Sequence, residues 1–268
     1  MTSRGPLNHV TVEGLRLRVK VQGSGPPLLL VMGLGGNIEM WQPLVEQLSD
    51  FETIAFDAPG MGESEIPRWP ISMRGLAGIA ASLVRALGYA RVDVLGVSYG
   101  GAIAQELAYR HREIVRRMVL AATSYGMGSL PGKPRALALL TTPYRYYSRS
   151  HLKAIAPRLY GGRIARQPEL IDRDAYARLG HAPSWRGYAW QLAALAGWSS
   201  LPFLRRIRVP VLVLTGDDDP IIRVFNGRML AGLIPGAQLH VMHGSGHLFL
   251  VDEAEKSAEL IRKFLCNT

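Results

Sequence analysis

The sequence lacks the features that mark secreted, membrane-embedded or disordered proteins. Its 268 residues include one cysteine, Cys266, so no disulfide can form within the chain. No run approaches the ~18 apolar residues of a membrane span, and residues 1–20 lack the apolar core of a signal peptide. Only 19% of the residues are charged and 48% are hydrophobic, which excludes a disordered chain. We therefore expect a soluble, cytoplasmic, globular protein without integral membrane association.

Acidic residues are too few to balance the basic ones, and the surplus lies in one segment. The chain has 31 Lys and Arg against 21 Asp and Glu, a net charge of +10. Residues 124–208 carry a net charge of +11, so the rest of the chain carries −1. A basic surplus is one mark of nucleic-acid binding, but the segment contains no recognition helix, zinc finger or RNA-binding sheet motif. We therefore expect no nucleic-acid partner.

Short apolar runs alternate with helical patterns through most of the chain, as in parallel sheets covered by helices. We predict a strand pair in 10–21 around Glu13-Gly14, strands in 28–32, 53–56, 92–97, 118–122, 211–214 and 238–242, and helices in 40–48, 72–87, 100–110 and 253–265. Residues 124–208 lack strand-like runs, hold 11 of the 21 aromatic residues and contain a helical pattern in 186–195. The sequence thus predicts an α/β core, formed by 1–123 and 209–268, with an α-helical cap inserted as 124–208.

A glycine-flanked serine follows the predicted strand 92–97. Gly96-Val97-Ser98-Tyr99-Gly100 matches the pattern G-x-S-x-G, which places a serine on a sharp turn between a strand and a helix. The small residues around it allow the strand and helix to pack closely. An ordinary turn with a serine helix cap is the alternative. The context favours Ser98 as a nucleophile.

A nucleophilic serine needs a base and an acid that orients the base, and both candidates lie downstream. Asp219 stands three residues after Gly216 behind a predicted strand, and His247 lies in the glycine loop after the last strand. Asp217 and Asp218 are expected to shape the turn or face solvent. A metal site that combines His240 and His243 with this acidic cluster is the alternative, but no helical H-E-x-x-H motif is present. We expect no metal and assign the order Ser98, Asp219, His247.

Two backbone amides are the predicted donors to an oxyanion. The N–H of Tyr99 directly follows the candidate nucleophile, and the N–H of Leu34 lies in Met32-Gly33-Leu34-Gly35-Gly36 after the first buried strand. A dinucleotide-binding loop with Asp57 as the ribose acid is the rival interpretation. It fails because Ile38 stands where the third glycine is required.

These motifs resemble those of α/β-hydrolases over the whole chain. More narrowly, residues 28–264 resemble intracellular medium-chain-length poly(3-hydroxyalkanoate) depolymerases. The resemblance is densest in 55–60, 96–101, 131–134, 155–157, 160–162, 216–220 and 246–250. Several of these segments lie in the insertion, which general hydrolases do not share. Two residues depart from the family pattern: Tyr99 stands where the family usually has Trp, and Arg223 where it usually has Pro.

The resemblance implies a cofactor-free serine esterase that cleaves aliphatic polyesters, oligoesters or medium-chain acyl esters, and it makes a granule surface a candidate partner. The aromatic cap suits an apolar acyl pocket, and Tyr125, Trp190, Trp198 and Leu248 are its candidate lining. The position of Tyr99 beside that pocket leaves the preferred acyl length open. Carbon–carbon bond hydrolysis, cofactor-free peroxidase chemistry and a receptor that binds without turnover remain alternatives on the same fold.

Overall fold

The strands form one mixed sheet in the computed structural model, which describes residues 7–266 apart from the side chains of residues 7 and 173–176. The strands of this described part are β1 (Leu7–Val12), β2 (Leu15–Gln22), β3 (Pro27–Val31), β4 (Glu52–Phe56), β5 (Val92–Val97), β6 (Val115–Ala121), β7 (Val211–Gly216) and β8 (Gln238–Met242). They lie in the order β1-β2-β4-β3-β5-β6-β7-β8. β2 is antiparallel to β1 and β4, and all later pairings are parallel.

Helices cover both faces of this sheet. They are α1 (Gln42–Val45), α2 (Met73–Ala86), α3 (Tyr99–Arg110), α4 (Pro134–Leu139), α5 (Arg149–Tyr160), α6 (Gly162–Arg166), α7 (Ile171–Gly180), α8 (Trp185–Leu195), α9 (Val224–Leu233), α10 (Phe249–Asp252) and α11 (Ala254–Cys266). Short 3₁₀ turns occupy Ile38–Trp41, Tyr144–Tyr146, Pro168–Leu170 and Leu204–Arg206. Within residues 7–266, none of the helices has the length and apolar character needed to cross a bilayer.

Alternate side chains of each central strand enter different halves of the core. Along β3, Leu29 packs with residues of α2 and α3, whereas Leu28 and Leu30 pack with Trp41 and with Phe264 of α11. Successive strand side chains point to opposite faces, so a strand covered on both faces must be apolar at every position. This explains why the continuous apolar runs predict the central strands correctly.

One helix differs from its prediction. The apolar pattern indicated a helix over 40–48, but the chain forms the 3₁₀ turn Ile38–Trp41 followed by the single turn α1. Pro43 lies in the first turn of α1, where its missing N–H costs nothing. Leu48 then closes the segment with an i→i−3 bond to the carbonyl of Val45. The apolar pattern correctly indicated which side chains are buried, but the chain forms two short helical turns, with Pro43 at the start of the second, in place of one continuous helix.

The helices α4 to α8 lie between β6 and β7, where the cap was predicted. The two ends of this insertion meet in an antiparallel bridge between Gly126 and Ser199. Its helices have an apolar centre of their own, which includes Leu152, Leu159 and Ile171. The insertion therefore leaves the core and returns to it at one place, above the carboxyl ends of the strands.

Candidate active site

Ser98 lies at a sharp turn between β5 and α3. Its backbone has φ 53° and ψ −117°, a conformation that residues with side chains rarely adopt. A Cβ at Gly100 would lie 2.0 Å from the carbonyl oxygen of Val31, and one at Gly96 would lie 2.5 Å from that of Gly100, so the turn needs glycine at both positions. The Ser98 side chain makes no capping hydrogen bond to α3. The alternative of an ordinary serine cap therefore fails.

Asp219 and His247 form a buried pair. Oδ2 of Asp219 lies 2.7 Å from Nδ1 of His247. Oδ1 accepts hydrogen bonds from the backbone N–H groups of Ile221 and Ile222, at 2.8 and 3.0 Å. The Asp219 side chain is fully buried, and His247 is 9% exposed. The carboxylate is fixed from both sides, an arrangement suited to holding a proton on Nδ1 of His247 and leaving Nε2 free as a base.

The neighbouring acids and histidines are engaged elsewhere. Asp217 binds Nδ1 of the exposed His243 at 2.8 Å and accepts from the Gly244 N–H at 2.7 Å. Asp218 accepts from the Gly162 N–H at 3.0 Å. Within the described residues, no three or more His, Cys, Asp or Glu side chains are grouped so that they could hold a metal ion. Asp217 and Asp218 thus stabilise loops around Asp219.

Both predicted oxyanion donors are close to Ser98 and unoccupied. Among the described residues, no hydrogen bond engages the backbone N–H of Leu34 or of Tyr99. The N–H of Tyr99 belongs to the first turn of α3, whose amides have no acceptor within the helix. Gly33 brings the other loop near, since a Cβ there would lie 3.4 Å from the Cβ of Ser98. Two free amides therefore flank the serine.

Ser98 and His247 line a common cavity of about 200 Å³ between the sheet edge and the cap. Most of the lining is apolar, and the side chains that the cap contributes include Leu137, Leu140 and Leu195. Its polar lining also includes Arg145, Tyr146, Tyr160 and Arg178. A largely apolar cavity with few polar groups beside a candidate nucleophile is typical of a substrate pocket.

The structure places two of the four predicted pocket residues in this cavity. Trp198 and Leu248 line it. Tyr125 does not: it packs into the core beneath the cap and donates its hydroxyl to the carbonyl of Gly128. Trp190 also lies outside the lining, because its indole N–H is directed to the carbonyl of Pro67 at 3.1 Å. Aromatic content predicted the pocket segment but not which rings face it.

The comparisons with known proteins agree with this geometry. Residues 26–254 match the family model of the α/β hydrolase fold. The chain belongs to the α/β-hydrolase family. It is 44% identical to a poly(3-hydroxyalkanoate) depolymerase of Ectopseudomonas oleovorans over 96% of this chain and 91% of that protein. It is also 30% identical to a 2-hydroxymuconate semialdehyde hydrolase of Pseudomonas putida over 96% of this chain and 93% of the relative.

At least one solved structure has a fold similar to that of this chain. A thermophilic esterase from Thermogutta terrifontis has a TM-score of 0.81 at 26% identity, over 97% of this chain and 98% of that one. The family and these relatives identify the chain as a hydrolytic enzyme, and they support ester hydrolysis as its activity.

The two departures from the depolymerase pattern have different consequences. Arg223 precedes α9 with φ −62°, the value that proline also takes, so the backbone is compatible with either residue. Tyr99 lines the cavity, and its hydroxyl is buried with no hydrogen-bond partner in the described part of the chain. Burial raises the pKa of Tyr99 well above its usual value, so the phenol stays neutral.

Asp57, the ribose acid of the rejected dinucleotide hypothesis, has a structural environment. Its carboxylate accepts from the backbone N–H groups of Ile38 at 2.8 Å and Glu63 at 3.1 Å, and it pairs with Arg18 at 3.0 Å. Burial raises the pKa of Asp57 to about 6, although the Arg18 guanidinium opposes that rise. These partners leave no oxygen facing a ligand, which agrees with the rejection.

Sequence reasoning missed the polar groups that the cap places over the cavity. Arg145 and Tyr146 are almost fully buried there, and Gln191 of α8 is 4% exposed. Their partners lie more than 100 residues away in the loop after β3. No periodicity or short motif connects segments so distant. The only signal was the general richness of the cap in arginine and aromatic residues.

Proposed function

We propose that this enzyme is a serine carboxylester hydrolase that cleaves medium-chain aliphatic oligoesters or polyesters through an acyl-enzyme. The observation that carries the proposal is that His247, which is paired with the buried Asp219, lines one largely apolar cavity with Ser98, Leu34 and Tyr99, and that no hydrogen bond of the described residues engages the amides of Leu34 and Tyr99. No cofactor is required, because the serine, the imidazole and the backbone supply a nucleophile, a base and charge stabilisation.

In the first half of the reaction, Oγ of Ser98 attacks the ester carbonyl carbon while Nε2 of His247 removes its proton. The negative charge that develops on the carbonyl oxygen is stabilised by the N–H groups of Leu34 and Tyr99. Asp219 stabilises the imidazolium and holds its orientation. When the carbon–oxygen bond to the alcohol breaks, His247 returns the proton to the departing oxygen, and the acyl group remains on Ser98.

In the second half, water replaces the alcohol. His247 takes one proton from water as its oxygen attacks the acyl carbon, and the same two amides stabilise the oxyanion. The bond to Oγ then breaks, and Oγ recovers a proton from His247. The product is a carboxylic acid, and the enzyme returns to its starting protonation state.

Two observations support an apolar acyl group as the substrate portion bound beside Ser98. Trp198, Leu248 and Ile222 line the cavity with carbon. Burial of a methylene group from water contributes up to about 0.8 kcal/mol, so such a lining favours longer acyl chains over acetyl. The 44% identical relative is named for poly(3-hydroxyalkanoate) depolymerisation, a reaction on esters with aliphatic side chains.

The outer face of the cap supports adsorption to a polymer granule in the cytoplasm. Tyr147 and Trp185 stack at the surface with ring centroids 6.2 Å apart, and Tyr144 is half exposed beside His151. Exposed rings suit an apolar surface. The net charge of +11 in 124–208 would attract an anionic coat.

Two suspensions test the substrate assignment: one of a polyester of medium-chain 3-hydroxy acids and one of poly(3-hydroxybutyrate). The proposal predicts clearing and release of free hydroxy acids or short oligomers from the first, with much slower release from the second. Turnover of p-nitrophenyl octanoate without attack on either polymer would restrict the enzyme to small esters. Absence of turnover on all three would contradict ester hydrolysis and favour a binding role.

A further inference from the structure

The cap holds residues 32–36, the loop that carries the Leu34 N–H and that we call the oxyanion loop, by hydrogen bonds to a single peptide unit. The Tyr146 hydroxyl donates to the carbonyl oxygen of Leu34 at 2.7 Å. The N–H of Gly35, the other polar end of the same peptide, donates to Oε1 of Gln191 at 2.8 Å. Tyr146 comes from a 3₁₀ turn and Gln191 from α8, so two separate cap elements hold one peptide plane.

A buried cation reinforces this contact. Nη2 of Arg145 donates to the Leu34 carbonyl at 3.3 Å, and its guanidinium lies 4.5 Å from the centre of the Tyr146 ring. Nη1 of Arg145 donates to the Tyr188 hydroxyl at 2.8 Å and to the Thr142 carbonyl at 3.1 Å. Because these groups are shielded from water, their hydrogen bonds have little competition from solvent.

The loop needs such support because its own sequence gives it little rigidity. Gly33, Gly35 and Gly36 flank Leu34, and glycine has no Cβ to restrict its backbone. Gly35 has φ +75°, and a Cβ there would lie 2.6 Å from the Tyr146 ring and 2.8 Å from the Tyr188 ring. The rings therefore pack directly on the loop, at the residue next to Leu34.

The peptide that the cap holds joins Leu34 to Gly35, and the preceding peptide, between Gly33 and Leu34, carries the Leu34 N–H. Each peptide is planar, so only the φ and ψ of Leu34 relate the plane held by the cap to the plane that donates to the oxyanion. Fixing the Leu34–Gly35 plane removes most of the freedom by which the Leu34 N–H could turn away from Ser98. Preorganised donors are effective because they do not have to reorient as charge develops.

We propose that Tyr146 and Gln191 are positioning residues that set the oxyanion hole from the cap. The cap is thus part of the catalytic apparatus as well as a cover for the acyl pocket. This inference rests on the proposed ester hydrolysis and adds residues that act through the Leu34 amide without donating to the oxyanion. Its consequence is kinetic: loss of these two hydrogen bonds lowers kcat and leaves KM nearly unchanged, because the bound ester has no oxyanion, and the charge develops only in the tetrahedral intermediate and its flanking transition states.

The test compares Tyr146→Phe and Gln191→Met with Tyr125→Phe. Tyr125→Phe is the matched control, since it also removes the hydroxyl of a buried tyrosine, one that donates to the Gly128 carbonyl and lies outside both the cavity lining and the loop that carries Leu34. Kinetic constants are measured with p-nitrophenyl octanoate, and thermal unfolding identifies any misfolded variant. The rate of Ser98 phosphonylation by a fluorophosphonate is measured in parallel, because this attack also develops charge on an oxygen held by the oxyanion donors.

Tyr146→Phe and Gln191→Met should each lower kcat and the phosphonylation rate about 5- to 50-fold, less than the 10²- to 10³-fold typical of losing an oxyanion donor. Tyr125→Phe should remain within about twofold of the wild type in both kcat and the phosphonylation rate. Gln191→Glu should recover most of the kcat, because a carboxylate still accepts from the Gly35 N–H. The double variant should lose less than the product of the single losses, since both bonds hold one peptide.

Each adverse outcome has a distinct meaning. If the wild type hydrolyses the ester and Tyr146→Phe and Gln191→Met keep full kcat, the positioning role is wrong and the ester hydrolase assignment stands. A rise in KM alone would make these residues substrate contacts and would also overturn the proposal. If the wild type hydrolyses no ester but is phosphonylated, the proposed function fails and the phosphonylation rates of the variants still decide the positioning role. If no phosphonylation occurs, both fail.

Discussion

Asp219 and His247 are joined by a contact of 2.7 Å, and a second Asp–His pair of 2.8 Å, Asp217 with His243, lies in the same two loops. The pairs differ in burial: His243 is 85% exposed, whereas His247 is 9% exposed and the Asp219 carboxylate is fully buried. A charged pair shielded from water interacts more strongly, because its effective dielectric constant is lower. Of the two pairs, only the buried one has a member, His247, that lines the cavity containing Ser98.

The two aspartates therefore make a matched test of the catalytic acid. Asp219→Asn should lower kcat for p-nitrophenyl octanoate about 10⁴-fold, because an amide at this position favours the wrong imidazole tautomer. Asp217→Asn should change kcat less than about threefold, since its carboxylate serves a surface turn. If Asp217→Asn were the more damaging substitution, the acid would be misassigned.

Acyl-chain length tests the pocket. The ratio kcat/KM for p-nitrophenyl esters should rise from acetyl towards octanoyl by up to about fourfold for each methylene that is buried. Trp198→Ala should reduce this rise more for the long esters than for acetyl, because the ring lines the cavity. Trp190→Ala is the control, since Trp190 lies outside the lining. A flat series in the wild type would contradict an apolar acyl pocket.

Salt tests the basic cap. Lys133, Arg135 and Arg158 are exposed around one hollow of the cap, and no ion pair engages them in the described residues. Raising the salt to ~0.5 M shortens the Debye length to about 4 Å, so polymer adsorption and attack should weaken. Hydrolysis of an uncharged soluble ester should be nearly constant.

Neutralising Lys133, Arg135 and Arg158 with glutamine should reproduce the effect of salt at low ionic strength. Arg149→Gln should do so much less, because Asp172 already pairs with Arg149. Equal losses on polymer and soluble ester would indicate damage to the cap itself. No loss on either substrate would exclude a role for these cations in capture.

Asp252 should make stability fall with rising pH. Burial, with a smaller effect of Glu253, raises its pKa to about 6, and neither carboxylate oxygen has a hydrogen-bond partner in residues 7–266. The folded state binds this proton more tightly than the unfolded state, whose pKa is near 3.8. The stabilisation is therefore complete below about pH 4 and lost as the pH rises through 6.

Asp252→Asn should match the wild type near pH 4 and exceed it at pH 8 by about 1–2 kcal/mol in free energy of unfolding, after allowance for partial solvent screening. Urea titrations at both pH values measure this difference. Asp172→Asn is a control of opposite sign, because Lys153 and Arg149 lower the pKa of Asp172. If Asp252→Asn were no more stable than the wild type at pH 8, burial of the Asp252 carboxylate would not destabilise the folded state.

The sequence predicted the parts of the site that depend on local pattern. Ser98 was predicted as the nucleophile because the strained turn requires glycines at fixed offsets, and Asp219 and His247 were predicted as its partners because both follow buried strands whose apolar runs are easily recognised. Parallel strands bring their carboxyl ends to one edge, so residues after β5, β7 and β8 converge without any contact having to be predicted. The arrangement of the parallel strands therefore brings the three candidate residues to the same edge of the sheet.

The parts that the sequence did not predict depend on contacts between the cap and the core. Tyr125 and Trp190 were expected in the pocket, yet their polar atoms bond to Gly128 and Pro67 and direct the rings elsewhere. Gln191 lies 156 residues from Gly35, and no local signal connects them. Which face of a cap helix meets the core depends on packing that periodicity alone does not specify.

The proposed mechanism requires Ser98 to carry the acyl group during ester hydrolysis. Acid-quenched mixtures of the enzyme with p-nitrophenyl octanoate, analysed by peptide mass spectrometry, test it directly. We expect an octanoyl group on Ser98 in the wild type, and we expect the Ser98→Ala variant to fold normally, form no acyl-enzyme and lose several powers of ten in turnover. A Ser98→Ala variant that kept turnover within tenfold of the wild type, or an acyl group on another residue, would contradict it.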